Sequence, residues 1–202
     1  MPIKLYDSKV SPYARKVRLL AAELDIAVEK IPLDFQKGDP QKPEYLALNP
    51  NGKVPTIDDD GFVLWESIAI LKYLAGKKGR LVPKDARGQA EADQWMIWWA
   101  NQPEPAIELL IYEIALKPFF GKPGNDPSII QEAHDILRRF LPVLDKQLAG
   151  KDYVMGELSV VDFAMAPPLE LAQRRLNVSL DKYPGISAWL ARLQQKPYWK
   201  AN

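Results

Sequence analysis

No cysteine occurs among the 202 residues, which removes disulfide scaffolds, thiolate metal sites and any redox step in which the protein supplies the sulfur. If thiol chemistry takes place here, the substrate brings the thiol. Histidine is almost as scarce. His134 is the only one, and it falls inside the helix-period stretch Ile129 to Leu148, which excludes a histidine-based triad and a multi-histidine metal site. No metal is expected. An excess of charge is missing too: 27 Lys and Arg stand against 26 Asp and Glu, a formal net charge of +1, which argues against a nucleic-acid partner or an anionic membrane surface. No run approaches the roughly 20 apolar residues of a membrane helix. Met1 to Tyr6 leads into a strand pattern without a signal-type apolar stretch, so the expected location is the cytoplasm. What remains to be recognised is a small molecule or another protein.

What is present is ample for a packed core, with 47% hydrophobic residues, and the length suits one large domain or two small ones. Ile3-Lys4-Leu5-Tyr6 reads as a strand, Arg15 to Leu24 continues a helix that Ser11 can cap, and Val28 to Leu33 is a second strand. Asp34 to Leu48 is polar and punctuated by proline. Val54 to Ile57 and Phe62 to Leu64 read as short strands split by the turn-forming Asp58-Asp59-Asp60-Gly61, and Ser67 to Leu74 as an apolar helix. The order is β-α-β-α-β-β-α over residues 1–80. Residues 81–86 read as a linker. From 87 to 202 the strand signals give way to helical periods, with helices expected at Arg87 to Gln102, Pro105 to Leu116, Ser128 to Leu148, Ser159 to Leu171 and Ile186 to Gln195. The expected fold is therefore an α/β domain followed by an all-α domain.

Three fragments of the first domain carry chemistry: Ser11-Pro12-Tyr13-Ala14-Arg15-Lys16-Val17, Gly52-Lys53-Val54-Pro55, and Trp65-Glu66-Ser67-Ile68-Ala69-Ile70. A cysteine-like thiol has a pKa of about 8.5, so bringing it to about 6.5 takes roughly 2.7 kcal/mol of anion stabilisation. A hydroxyl donor at a helix N-terminus can supply that. Ser11, placed between a strand and a helix, fits, and Ser8 is the rival. Each fragment has an ordinary reading as well: Ser11 as an N-cap, Pro12 as a first-turn proline, Pro55 as a trans residue opening an edge strand, Glu66 and Ser67 as a helix start.

In this order, the fragments resemble the glutathione S-transferase superfamily, along nearly the whole chain. The match is to its serine-type branches, since Ser-Pro-Tyr-Ala-Arg-Lys-Val-Arg is similar to the tau pattern, with phi and zeta relatives. The resemblance implies an N-terminal thioredoxin-like domain that binds glutathione as co-substrate and a C-terminal helical-bundle domain. It implies Ser11 as the group on the sulfur, a cis peptide before Pro55 with the Val54 N–H and C=O paired to the cysteinyl part, and Glu66 with Ser67 on the γ-glutamyl end. Gly156 to Asp162 resembles the family's buried N-capping box. Pro184 to Leu190, with Lys196-Pro197, is similar to its C-terminal segment. The chain departs from the phi-like pattern at Pro40 and Gln41, where a histidine and a lysine normally hold the glycyl carboxylate. Lys53, Lys42 or Gln41 then has to serve, and Lys53 is our candidate.

Trp95, Trp98 and Trp99 lie at helical spacing, followed by Tyr112, Phe119 and Phe120. Such stripes are ordinarily core, yet the resemblance implies an electrophile site lined by this part of the helical domain. Tyr13, Trp99 and Tyr112 are the candidates for an apolar second substrate. The expected protein is a homodimeric glutathione transferase. Glutathione-dependent peroxide reduction, dehalogenation or ether cleavage in the same site are alternatives, as is an interaction module that keeps the fold and lacks the chemistry.

Overall fold

The computed structural model describes residues 1–202, which divide into two compact units, Met1–Val82 with Pro197–Asn202, and Pro83–Lys196. The first unit is built on strand alternation. In β1 (Ile3–Asp7) the side chains of Ile3, Leu5 and Asp7 point inward and Lys4 outward, the period-2 pattern of a strand on a core. β2 (Val28–Pro32) pairs with it in parallel, Ile3 opposite Val28. A parallel pair needs a crossover, supplied by α1 (Pro12–Glu23), which buries Ala14, Val17, Leu19 and Leu20. A short helix α2 (Pro43–Leu46) follows.

Then β3 (Thr56–Asp59) and β4 (Phe62–Trp65) form an antiparallel hairpin, and β3 runs antiparallel to β1, giving the order β2-β1-β3-β4. α3 (Ser67–Lys78) closes the unit with Ile70, Leu71 and Leu74 fully buried, each contributing about 1.5–3 kcal/mol of apolar burial. This is the thioredoxin-like arrangement. β3 starts two residues later than the sequence pattern suggests, because Pro55 has no N–H to give a ladder.

The second unit contains helices and no strand pairing beyond one isolated bridge. They are α4 (Ala86–Asn101), α5 (Pro103–Leu110), α6 (Lys117–Phe119), α7 (Pro127–Gln147), α8 (Val160–Arg175) and α9 (Pro184–Gln194). The half-buried His134 lies on α7. The helix expected over Pro105 to Leu116 ends its regular part at Leu110 and continues through Ile111–Leu116 as wide π-type turns. Pro118 follows, and a proline can neither donate to the carbonyl four residues back nor fit its ring against it. α8 is buried on nearly every side, the pattern of a central helix.

Its start is held by the fully buried Asp162, whose carboxylate accepts from the N–H groups of Val154 (3.0 Å) and Ser159 (2.8 Å), from the Ser159 hydroxyl (3.1 Å) and from the Trp189 indole (2.8 Å). The capping box is thus a junction between α8, the loop before it and α9. Burial pushes the Asp162 carboxyl up, and these four donors pull it back.

The last helix, α10 (Pro197–Ala201), belongs to the first unit. Its Trp199 is buried, the Arg15 guanidinium lies over that ring and donates to the main-chain oxygens of Trp199 (3.1 Å) and Asn202 (2.8 Å), and the Tyr198 hydroxyl donates to Glu23.

Candidate active site

Ser11 is the N-cap of α1, in extended conformation at φ −74° and ψ 120°. Its Oγ accepts from the Ala14 N–H at 3.2 Å and its carbonyl from the Arg15 N–H at 3.0 Å. Capping uses the oxygen of the hydroxyl and leaves its hydrogen for another acceptor. The two readings of Ser11 are therefore compatible. Ser8 contributes its carbonyl, which accepts from the Ser11 N–H at 2.9 Å.

The turn carrying these serines is held from behind by Arg18 and Asp7, both nearly buried. The Arg18 guanidinium forms a short ion pair with the Asp7 carboxylate and donates to the carbonyls of Ser8 (3.3 Å) and Lys9 (3.4 Å). Burial lowers the Arg18 pKa, and the Asp7 charge opposes that.

The second fragment hangs on a buried polar cluster. Asn49 donates to the Lys53 carbonyl (2.9 Å) and to Thr56 Oγ1 (3.0 Å), the Tyr45 hydroxyl donates to the same carbonyl, and the Tyr45 and Thr56 hydroxyls lie 2.9 Å apart. Burial lifts the Tyr45 phenol above its usual range, with Thr56 and Asn49 pulling the other way. The Val54–Pro55 peptide is cis. No hydrogen bond within the protein engages the Val54 N–H or C=O, so both are available to an extended chain laid beside them.

Glu66 and Ser67 open α3. The N-cap is Glu66 rather than Ser67, and Glu66 stands at φ 71° and ψ 114° with no side-chain cap bond. A non-glycine residue there costs about 1–3 kcal/mol, which the surroundings have to sustain. The Glu66 carbonyl accepts from Ile70 N–H at 2.9 Å, but the first-turn N–H groups of a helix have no partner within it. They form a place for an anion. Ser67 is nearly buried and Glu66 exposed.

Gln41 and Pro40 lie on a short turn, Asp39–Gln41, with Pro40 buried. Lys53 is exposed. Tyr13 is half-buried on α1, with the buried Lys16 ammonium 4.9 Å from its ring centre. Trp99 is wholly enclosed on α4, its indole N–H making no hydrogen bond. Tyr112 is 46% exposed, with the Lys117 ammonium 5.3 Å from its ring centre. No group of three or more potential ligating side chains forms a metal site, and no helix is long and apolar enough to cross a membrane.

Sequence spacing gives no sign of the supporting roles of Asp7, Arg18, Tyr45, Asn49 and Thr56. Arg18 stands in the quoted string, but a charged residue's burial against a strand end is a tertiary fact with no periodic signature.

Comparison with known proteins matches residues 1–76 to the family described as Glutathione S-transferase, N-terminal domain, and residues 108–197 to Glutathione S-transferase, C-terminal domain. The chain belongs to the glutathione S-transferase family. This transferase is 33% identical to a probable glutathione S-transferase of Oryza sativa subsp. japonica, over 97% of this chain and 93% of that one. Among solved structures, a glutathione S-transferase-I bound with lactoylglutathione superposes with TM-score 0.88 at 29% identity, covering 100% of this chain and 98% of that one. A Burkholderia graminis glutathione transferase with two glutathione molecules bound per subunit gives TM-score 0.88 at 29% identity, covering 99% and 86%.

Proposed function

We propose that the protein conjugates glutathione to an apolar electrophile, with Ser11 stabilising the thiolate. The observation that carries this reading is the start of α3, where Glu66 is held at a costly φ of 71° and leaves the helix uncapped. Strained backbone of this kind clusters at ligand clamps, and this stretch fits one. The γ-glutamyl α-carboxylate lies on the α3 N-terminus and the Ser67 hydroxyl, and its ammonium meets the Glu66 carboxylate. The cysteinyl N–H and C=O pair with Val54 in a two-bond ladder, and Lys53 attends the glycyl end. The sulfur then lies at Ser11, whose hydroxyl donates to it while the α1 dipole favours its charge. Relatives bound to glutathione or its derivatives support this.

In the reaction the thiol proton passes to solvent and the thiolate attacks the electrophilic carbon. An S–C bond forms, and the leaving group departs with the electron pair of the bond it breaks. On the first domain Tyr13 flanks Ser11. On the helical domain Tyr112, with the exposed Phe119 and Phe120 rings packed edge to face 5.0 Å apart, supplies aromatic surface for an apolar molecule. Trp99 is fully enclosed and offers no free surface to a second substrate. The same reading makes the protein a cytoplasmic homodimer, checked by its sedimentation mass. Retention on immobilised glutathione followed by a conjugation assay with an aryl halide tests the activity. A protein that neither binds glutathione nor conjugates it would overturn the reading.

A further inference from the structure

Between residues 34 and 53 the charges cancel, with Asp34, Asp39 and Glu44 against Lys37, Lys42 and Lys53. Two of the three cations are already engaged: Lys37 Nζ is 3.5 Å from Asp34, and Lys42 Nζ is 2.7 Å from Asp39. Asp39 is itself fixed, since its other oxygen accepts from the Asp34 N–H at 2.8 Å. The hydrogen bond between them holds the Lys42 ammonium above its usual pKa and the Asp39 carboxyl below. Lys53 alone has no ion-pair partner, and its side chain is exposed.

Beside Lys53 the surface is neutral. Gly52, at φ 60°, lies so close under the Gln41 amide that a Cβ would meet Gln41 Nε2 at 2.5 Å and the Pro40 carbonyl at 2.9 Å. Pro40 is buried and carries no side-chain donor. A ligand anchored by its γ-glutamyl group on α3 and by its cysteinyl backbone on Val54 presents its last group to this ledge. That group then meets one exposed lysine and one neutral amide. Both can donate to a carbonyl oxygen as well as to a carboxylate, and the added strength of a solvent-exposed ion pair amounts to a factor of less than about five.

We propose that this transferase recognises the γ-glutamylcysteinyl part of its thiol substrate and reads the C-terminal charge only weakly. Its thiol substrates extend to γ-glutamylcysteinyl peptides whose C-terminus is an amide or ester. The inference rests on the glutathione-binding reading given under Proposed function.

The test compares glutathione with its glycyl amide at a fixed aryl halide, as a ratio of kcat/KM. The expected preference for glutathione is less than tenfold, and in Lys53→Met it falls further toward one. A preference of tenfold or more overturns the inference, as does a preference not lowered by Lys53→Met. Activity with glutathione but none with the amide sinks this inference and leaves the conjugation reading intact. Activity with neither thiol removes both.

Discussion

The Ser11 hydroxyl oxygen stands 3.2 Å from the Ala14 nitrogen and accepts its N–H, so the oxygen caps the start of the helix while the hydroxyl hydrogen is left for another acceptor. Ser11→Ala is expected to lose about 1 kcal/mol of stability through the cap. The pKa of bound glutathione should also rise, lowering kcat at neutral pH at least about tenfold. Ser11→Thr keeps the hydroxyl and should retain most of both. A thiolate absorbance titration of the bound tripeptide decides the matter. An unchanged titration in Ser11→Ala would move the role to Ser8 or to main-chain N–H groups.

Glu66→Gly separates strain from binding. Glycine accepts φ 71° at little cost, so the variant should melt higher, by an amount corresponding to about 1 kcal/mol. Its KM for glutathione should rise because the ammonium partner is gone. A variant with both stability and KM unchanged would refute the clamp.

Arg18 and Asp7 should behave as a unit. Arg18→Met leaves the Asp7 carboxylate buried without its partner, a loss of about 3–5 kcal/mol. Asp7→Asn combined with Arg18→Met should cost less than the two single losses added together. Denaturant unfolding of the four proteins gives the coupling. Additivity within experimental error would show that the pair does not hold the Ser8 to Ser11 turn.

The Asp59 cluster sets an acid limit. Lys77 and the Tyr73 hydroxyl both donate to Asp59 and hold its pKa below the ordinary carboxylate value. A depressed carboxyl stabilises the fold above its unfolded pKa of about 3.9, and that contribution is lost as pH falls through the lower folded value. The Lys77 pKa is raised by the same bond, so the lysine's share is present below about pH 10.4 and disappears as pH climbs through its folded value. Stability from this cluster should therefore be flat between about pH 5 and 9. Asp59→Asn should reduce the acid dependence, seen as a smaller fall in Tm between pH 5 and pH 3.

Asp162→Ala strands four buried donors at the start of α8. At about 1 kcal/mol or more each, the loss should reach at least about 3 kcal/mol, a fall of roughly 6–12 °C in Tm. Glutathione affinity of the protein that remains folded should be unchanged, measurable by calorimetry.

Much of this was legible in the chain. Alternation in Ile3 to Tyr6 and the apolar helix after Ser67 report burial through local spacing. The Ser159 and Asp162 box announces itself because a cap is a short-range device. The exact start of β3 and the wide turns over Ile111–Leu116 were not legible, since both depend on what a proline denies its neighbours. The role of Arg18 is not visible in the chain, because it lies in meeting Asp7 across the β1–α1 turn. Asn49 has no sequence signature either, because its amide acts by donating to Lys53 and Thr56 at once.

The placement of α10 in the first unit has a consequence for how the molecule is made. A chain that leaves the ribosome from its N-terminus presents β1 to α3 early. The Trp199 ring and the main-chain oxygens that Arg15 grips arrive only after residues 83–196 have been synthesised. The unit that carries Ser11 is thus completed last, although most of it is made first. Removing residues 197–202, or attaching a bulky fusion there, should be felt first along α1, the helix that Ser11 caps, rather than in the helical unit.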